Sequence, residues 1–153
     1  LVRFHAAELG VDPDRIGIMG WSAGGELSAM VSFGEHAGDP AAPDPVDRVS
    51  CRPDFHLNIY PGPIGFPFGK MSAETPPTFF VCAMDDAFHL DPILAVLPKF
   101  LALDIPVEAH LYAAGGHGFN MGNRSDLISI RNFPDRMIEW MQDGGWLTAR
   151  VLP

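Results

Sequence analysis

A chain of 153 residues, 47% apolar and 19% charged, has the composition of a globular protein with a real core rather than a disordered segment. Its net charge of −9 argues against nucleic acid and anionic membrane as partners. No stretch approaches the roughly eighteen apolar residues a membrane helix needs, and two cysteines without metal-type spacing make no disulfide framework, Cys82 reading as a buried free thiol.

The elements then follow in order. Leu1–Gly10 reads as the back end of a helix capped at Gly10, so the chain is expected to begin inside a single α/β domain, with its localisation open. The Asp12-Pro13-Asp14 turn leads into Arg15–Met19, an apolar run suited to a buried strand. Ala23–Phe33 reads as a helix rich in small residues. Glu35–Asp54, with four prolines, reads as a surface loop. Phe55–Tyr60 is the next strand, closed by Pro61-Gly62-Pro63, and a Pro/Gly-rich loop runs on to Pro77. Thr78–Met84 is a strong buried strand. Asp91-Pro92 predicts the start of a helix that runs to about Leu103 and bends at Pro98. Val107–Tyr112 is the last strand, and Asn132–Gln142 the last helix. About four strands separated by helices or long crossovers predict a mostly parallel sheet, with reactive residues beyond the carboxyl ends of the strands.

The reactive residues fall there. Gly20-Trp21-Ser22-Ala23-Gly24 is G-x-S-x-G between a strand and a helix, the pattern of a nucleophile elbow. A sharp strand-to-helix turn strains the serine backbone, so the residues two positions away must lack bulk. The turn would expose the Ser22 hydroxyl and place the Ala23 amide at a helix amino terminus, ready to donate to an oxyanion. Trp21, beside the nucleophile, is expected to line the substrate site.

A serine hydroxyl needs a base, and the base needs an acid to fix its tautomer. Of six histidines, His117 lies in the glycine-rich loop after the last strand, free to approach Ser22. His110 sits within a strand, and His5, His36 and His56 fall in elements without a site signature. The acid should follow the penultimate strand, where Asp85 and Asp86 both stand; chemistry alone leaves the two open. His89, close by, has two readings, a pocket-lining residue or a surface histidine, and the surface reading is preferred.

Arg15–Ser28 (RIGIMGWSAGGELS), Arg52–Pro61 (RPDFHLNIYP), Pro76–Asp86 (PPTFFVCAMDD) and Tyr112–Phe119 (YAAGGHGF) resemble the esterase branch of the α/β-hydrolases, acetyl-xylan-esterase-like and near the carbohydrate and feruloyl esterases. The resemblance spans nearly the whole chain and looks like the carboxyl-terminal half of such a domain. It implies carboxylester hydrolysis through an acyl-enzyme, on a small-molecule ester, with no cofactor and no metal. It maps the triad acid onto Asp85, the first aspartate of the pair. Two features depart from the family: the H-G-G-type loop that completes the oxyanion hole does not occur in this sequence, and Glu26 stands where relatives often carry histidine or asparagine. Against the esterase stand a prolyl-oligopeptidase-like peptidase, which Ala23 disfavours because those peptidases resemble G-x-S-Y-G-G, and a catalytically inactive fragment or binding subunit. The strand at Arg15–Met19 is expected to present an uncovered apolar edge, and the chain to be weakly active alone and prone to self-association.

Overall fold

The computed structural model describes residues 1–34, 37–62 and 68–147. Helix α1, Ala6–Leu9, stops at Gly10, whose φ of 66° is the left-handed cap that residues with a Cβ rarely adopt. The chain then crosses to strand β1, Gly17–Trp21. This strand lies two residues later than the Arg15–Met19 run predicted. The reason is a side chain. The Ile16 amide donates to the Asp54 carboxylate at 2.8 Å instead of to a strand neighbour, while Arg15 pairs back to Asp12. The same Asp54 carboxylate pairs with Arg3 at 3.1 Å, so one acidic side chain ties the amino terminus to the mouth of the sheet.

Helix α2 spans Ala23–Ser32, β2 Phe55–Ile59 and β3 Thr78–Ala83. Helix α3 spans Ala87–Ala102 and β4 Val107–Tyr112, and a short α4, Ile128–Arg131, precedes α5, Phe133–Asp143. The loop predicted over Glu35–Asp54 contains a 3-10 turn at Pro45–Arg48, opened by the Asp44 carboxylate on the Val46 amide; residues 35–36 lie outside the described residues. In the loop before Pro77, residues 63–67 do too.

The third helix corrects the sequence reading. It begins at Ala87, not Asp91, because the Asp86 carbonyl already accepts from the His89 and Leu90 amides at 3.1 and 2.9 Å. Asp91-Pro92 imitates a cap, yet both residues lie within the helix.

The four strands run in the order β1-β2-β3-β4, every pair parallel, with Trp21 opposite Ile59 and Ala83 opposite Tyr112. All four carboxyl ends therefore open on one edge. Strands β2 and β3 are buried throughout, as a sheet covered on both faces requires. Adjacent phenylalanines show the two layers. Phe80 meets Phe100 of α3 edge-on at 5.9 Å, whereas Phe79 meets Trp140 of α5 at 5.6 Å. Phe33, at the end of α2, closes the first layer against Phe100. Truncating any of the four buried phenylalanines to alanine costs about 3–5 kcal/mol.

Strand β1 ends the sheet, paired on one side by β2. Leu1, Val2 and Val31, all exposed, share a cleft with the first residues of β1, Gly17 and Ile18.

Candidate functional site

The turn from β1 into α2 holds Ser22 at φ 51° and ψ −121°, a conformation that side chains with a Cβ seldom adopt. Such strain persists only where surrounding contacts impose it. Here the Ser22 amide donates to Ile59 O, and the Ser22 carbonyl accepts from the Glu26 and Gly62 amides. Steric demand falls unevenly on the glycines. A Cβ at Gly20 would collide with the Gly24 carbonyl, and one at Gly25 would come within 2.6 Å of Asn58 Oδ1 and 2.9 Å of Pro61 Cα. At Gly24 a Cβ would meet open space. The expectation that both positions flanking the serine must lack bulk therefore holds for Gly20 alone; Gly25 is the second tight contact. Ala23 is the first residue of α2, and its amide is one of the first-turn donors that a helix leaves without an internal partner.

Strand β3 continues its pairing with β4 past its own end, Met84 N to Tyr112 O at 2.7 Å, which brings the Asp85-Asp86 pair alongside the glycine loop. The two aspartates divide that loop between them. Asp85 accepts from the Gly115 and Gly116 amides at 3.1 and 2.8 Å, and these hydrogen bonds, Gly116 first, hold its carboxyl below the usual carboxylate range. Asp86, whose side chain is 8% exposed, reaches the ring of His117: Oδ2 lies 2.7 Å from Nδ1. The far nitrogen, Nε2, lies 2.9 Å from Ser22 Oγ.

The aspartate assignment is thereby corrected. The carboxylate that meets His117 belongs to Asp86, and Asp85 grips the loop backbone instead. Asp86 opens α3, and its side chain makes no cap on that helix, so the carboxylate is left to face the histidine. Because a carboxylate at Nδ1 needs a proton there, the imidazole presents Nε2 to Ser22 as an acceptor.

Of the two readings of His89, the surface one does not match its place in the fold. Its side chain is 15% exposed, its Nδ1 lies 2.7 Å from Asp86 Oδ1, and its ring stacks on that of His117 with centroids 3.7 Å apart and planes 18° apart. The signal was its place three residues after Asp86 on one helical turn. Asp86, His89 and His117 bring three donor atoms within 4.8 Å of one another, but their own hydrogen bonds engage the carboxylate and both Nδ1 atoms.

Around Ser22 and His117 a shallow depression is walled by Trp21, Tyr60, Gly118, Asn120 and Arg124. Trp21, expected to line a substrate site, is one of these wall residues. Tyr60, unforeseen, packs edge-on against His117 at 4.9 Å, and its hydroxyl accepts from the Asn120 amide at 3.0 Å; burial raises its phenol above the ordinary value.

The remaining histidines stand apart. His5 pairs with Glu8 and His110 with Glu108, while His36 lies outside the described residues. His56 is wholly buried, with Nε2 2.8 Å from Ser28 Oγ, and burial pushes its imidazole down to about 3. Cys51 is exposed and Cys82 buried, both free, and burial pushes the Cys82 thiol up to about 12.

The BD-FAE family model matches residues 1–44. No curated protein sequence matches the chain. Among solved structures, the chain is similar to an acetyl ester-xyloside bifunctional hydrolase from Caldicellulosiruptor lactoaceticus, with a TM-score of 0.87 and 28% identity over 96% of this chain and 63% of that one. An α/β-hydrolase enzyme from a Medee basin deep-sea metagenome library matches with a TM-score of 0.72 and 25% identity, over 93% and 59% of the two chains. Esterase 2 of Thermogutta terrifontis, phosphonylated by sarin, shares the fold with a TM-score of 0.81 and 23% identity, over 97% and 64%. The chain thus spans about three fifths of the length of these structures.

Proposed function

We propose that this chain, whose fold is that of the α/β-hydrolases, carries the reacting residues of a serine carboxylesterase. The observation that bears most weight is the unbroken relay from Ser22 Oγ through His117 to Asp86, at 2.9 and 2.7 Å, at the carboxyl edge of a parallel sheet. In this reading Ser22 Oγ attacks an ester carbonyl as its proton passes to His117 Nε2. Asp86 holds the Nδ1 proton and stabilises the imidazolium that forms. The Ala23 amide, at the positive end of α2, donates to the oxyanion. The imidazolium returns its proton to the leaving alcohol. Water, activated by the same imidazole, then releases the acid and frees Ser22.

Small acyl and acetylated carbohydrate esters are the substrates that similarity to the acetyl ester-xyloside hydrolase favours. The depression is shallow and open, which suits a short acyl group on a bulky, solvated alcohol, with Trp21 offering a flat apolar wall. The test is the rate of 4-nitrophenyl acetate hydrolysis and of acetate release from acetylated xylo-oligosaccharide, by the chain and by Ser22→Ala. Turnover lost in the variant supports the reading. A variant keeping more than about a tenth of the rate contradicts it, since removing a triad nucleophile costs several orders of magnitude.

A further inference from the structure

We infer that His89 is a positioning residue of this site, one that holds the Asp86 carboxylate so that a single oxygen faces His117. The inference rests on the esterase reading above and extends it by one residue. Asp86 is the residue before the first turn of α3, and His89 sits on the turn that follows, where a capping box would place a glutamate reaching back to the backbone. Here the reach is to a side chain. His89 Nδ1 donates to Asp86 Oδ1 at 2.7 Å, and His117 Nδ1 to Asp86 Oδ2 at the same distance. One carboxylate is thus shared by two imidazoles, one oxygen each.

Three features make this arrangement more than a local ion pair. Asp86 makes no side-chain cap on α3, so the two histidines provide its described hydrogen bonds. Its side chain is 8% exposed, where an unmet carboxylate oxygen is costly and will turn to find a donor. And His89 is itself fixed: its ring lies flat on His117 at 3.7 Å and edge-on to Phe88 at 5.0 Å. Without the His89 donor, the carboxylate is free to rotate about its Cβ–Cγ bond and offer His117 a poorer angle. A misaligned base slows chemistry more than it weakens substrate binding.

The hydrogen bond and the stacked ring can be separated. His89→Asn keeps a donor where Nδ1 lies but removes the ring; His89→Phe keeps a ring and removes the donor. Steady-state kinetics on 4-nitrophenyl acetate, with thermal melting as a control, distinguish them. In His89→Ala and His89→Phe, kcat is expected to fall by about 10–10²-fold with KM changed less than about twofold. His89→Asn is expected to recover most of that loss. A kcat within about twofold of wild type in both Ala and Phe, or equal loss in Phe and Asn, overturns the inference. If the unmodified chain and Ser22→Ala hydrolyse the ester equally, the esterase reading itself fails and takes this one with it.

Discussion

Two serines, one at the start of α2 and one within it, each meet a histidine, and hydrogen-bond length alone ranks them against the proposal. Ser28 Oγ is 2.8 Å from His56 Nε2, slightly closer than the 2.9 Å between Ser22 and His117. The Ser28 hydroxyl also donates to the Gly25 carbonyl at 2.8 Å. With its one proton spent there, Ser28 accepts from His56, the reverse of what a nucleophile requires. Among the described residues, the partner at the other nitrogen of His56 is Thr78, at 3.5 Å, and burial lowers the imidazole pKa to about 3. His117 differs on each count: a carboxylate at Nδ1, a side chain 37% exposed, and a serine set at a strained turn facing a depression. Access and a third, charged partner separate a reactive pair from a packing pair.

The largest test of that contrast replaces each serine. Ser22→Ala should lower kcat by about 10⁴–10⁶-fold, whereas Ser28→Ala should keep kcat within a few fold and register in the melting temperature instead. Next come the two aspartates. Asp86→Asn should cost about 10⁴-fold, since an amide favours the wrong His117 tautomer. Asp85→Asn, which loosens the loop backbone without touching the ring, should cost at most about 10²-fold. The opposite ranking would return the acid's role to Asp85.

A smaller effect concerns acid. The folded-state value of His56 is depressed, from the ordinary 6.5 to about 3, so its contribution is intact above about 6.5 and lost progressively as pH falls toward 3. The slope approaches about 1.4 kcal/mol per pH unit in that window. Urea unfolding of wild type and His56→Gln at pH 7.5 and 4.5 should show the stability gap narrowing on the acid side; a constant gap would mean His56 titrates alike in the folded and unfolded chain. The smallest effect is at the thiols. Cys51 should react with a maleimide in the native protein, and Cys82, buried with its thiol pushed up to about 12, only on unfolding.

Much of this was legible in the residues. The apolar runs at Phe55–Tyr60 and Thr78–Met84 and the glycines at the elbow and the histidine loop specify backbone, and backbone patterns are local. The turn that carries Ser22 and the loop that carries His117 follow from them. The aspartate pair was not legible, because adjacent residues at a strand end point in different directions once a helix begins, and that helix starts four residues before the Asp91-Pro92 signal. The two readings of His89 divide on the same point: placed in a loop it is a surface histidine, and placed on the first turn of α3 it faces Asp86. The Ser28–His56 pair joins a helix to a strand 28 residues apart, a contact that no local pattern encodes.

The most direct measurement is reaction of the native protein with a fluorophosphonate, followed by peptide mapping of the adduct. Such a reagent requires a hydroxyl activated by a base. The account predicts one adduct, on Ser22, abolished in His117→Ala and unaffected in His56→Gln. An adduct on Ser28, or no adduct on Ser22 in a protein that hydrolyses esters, would contradict it.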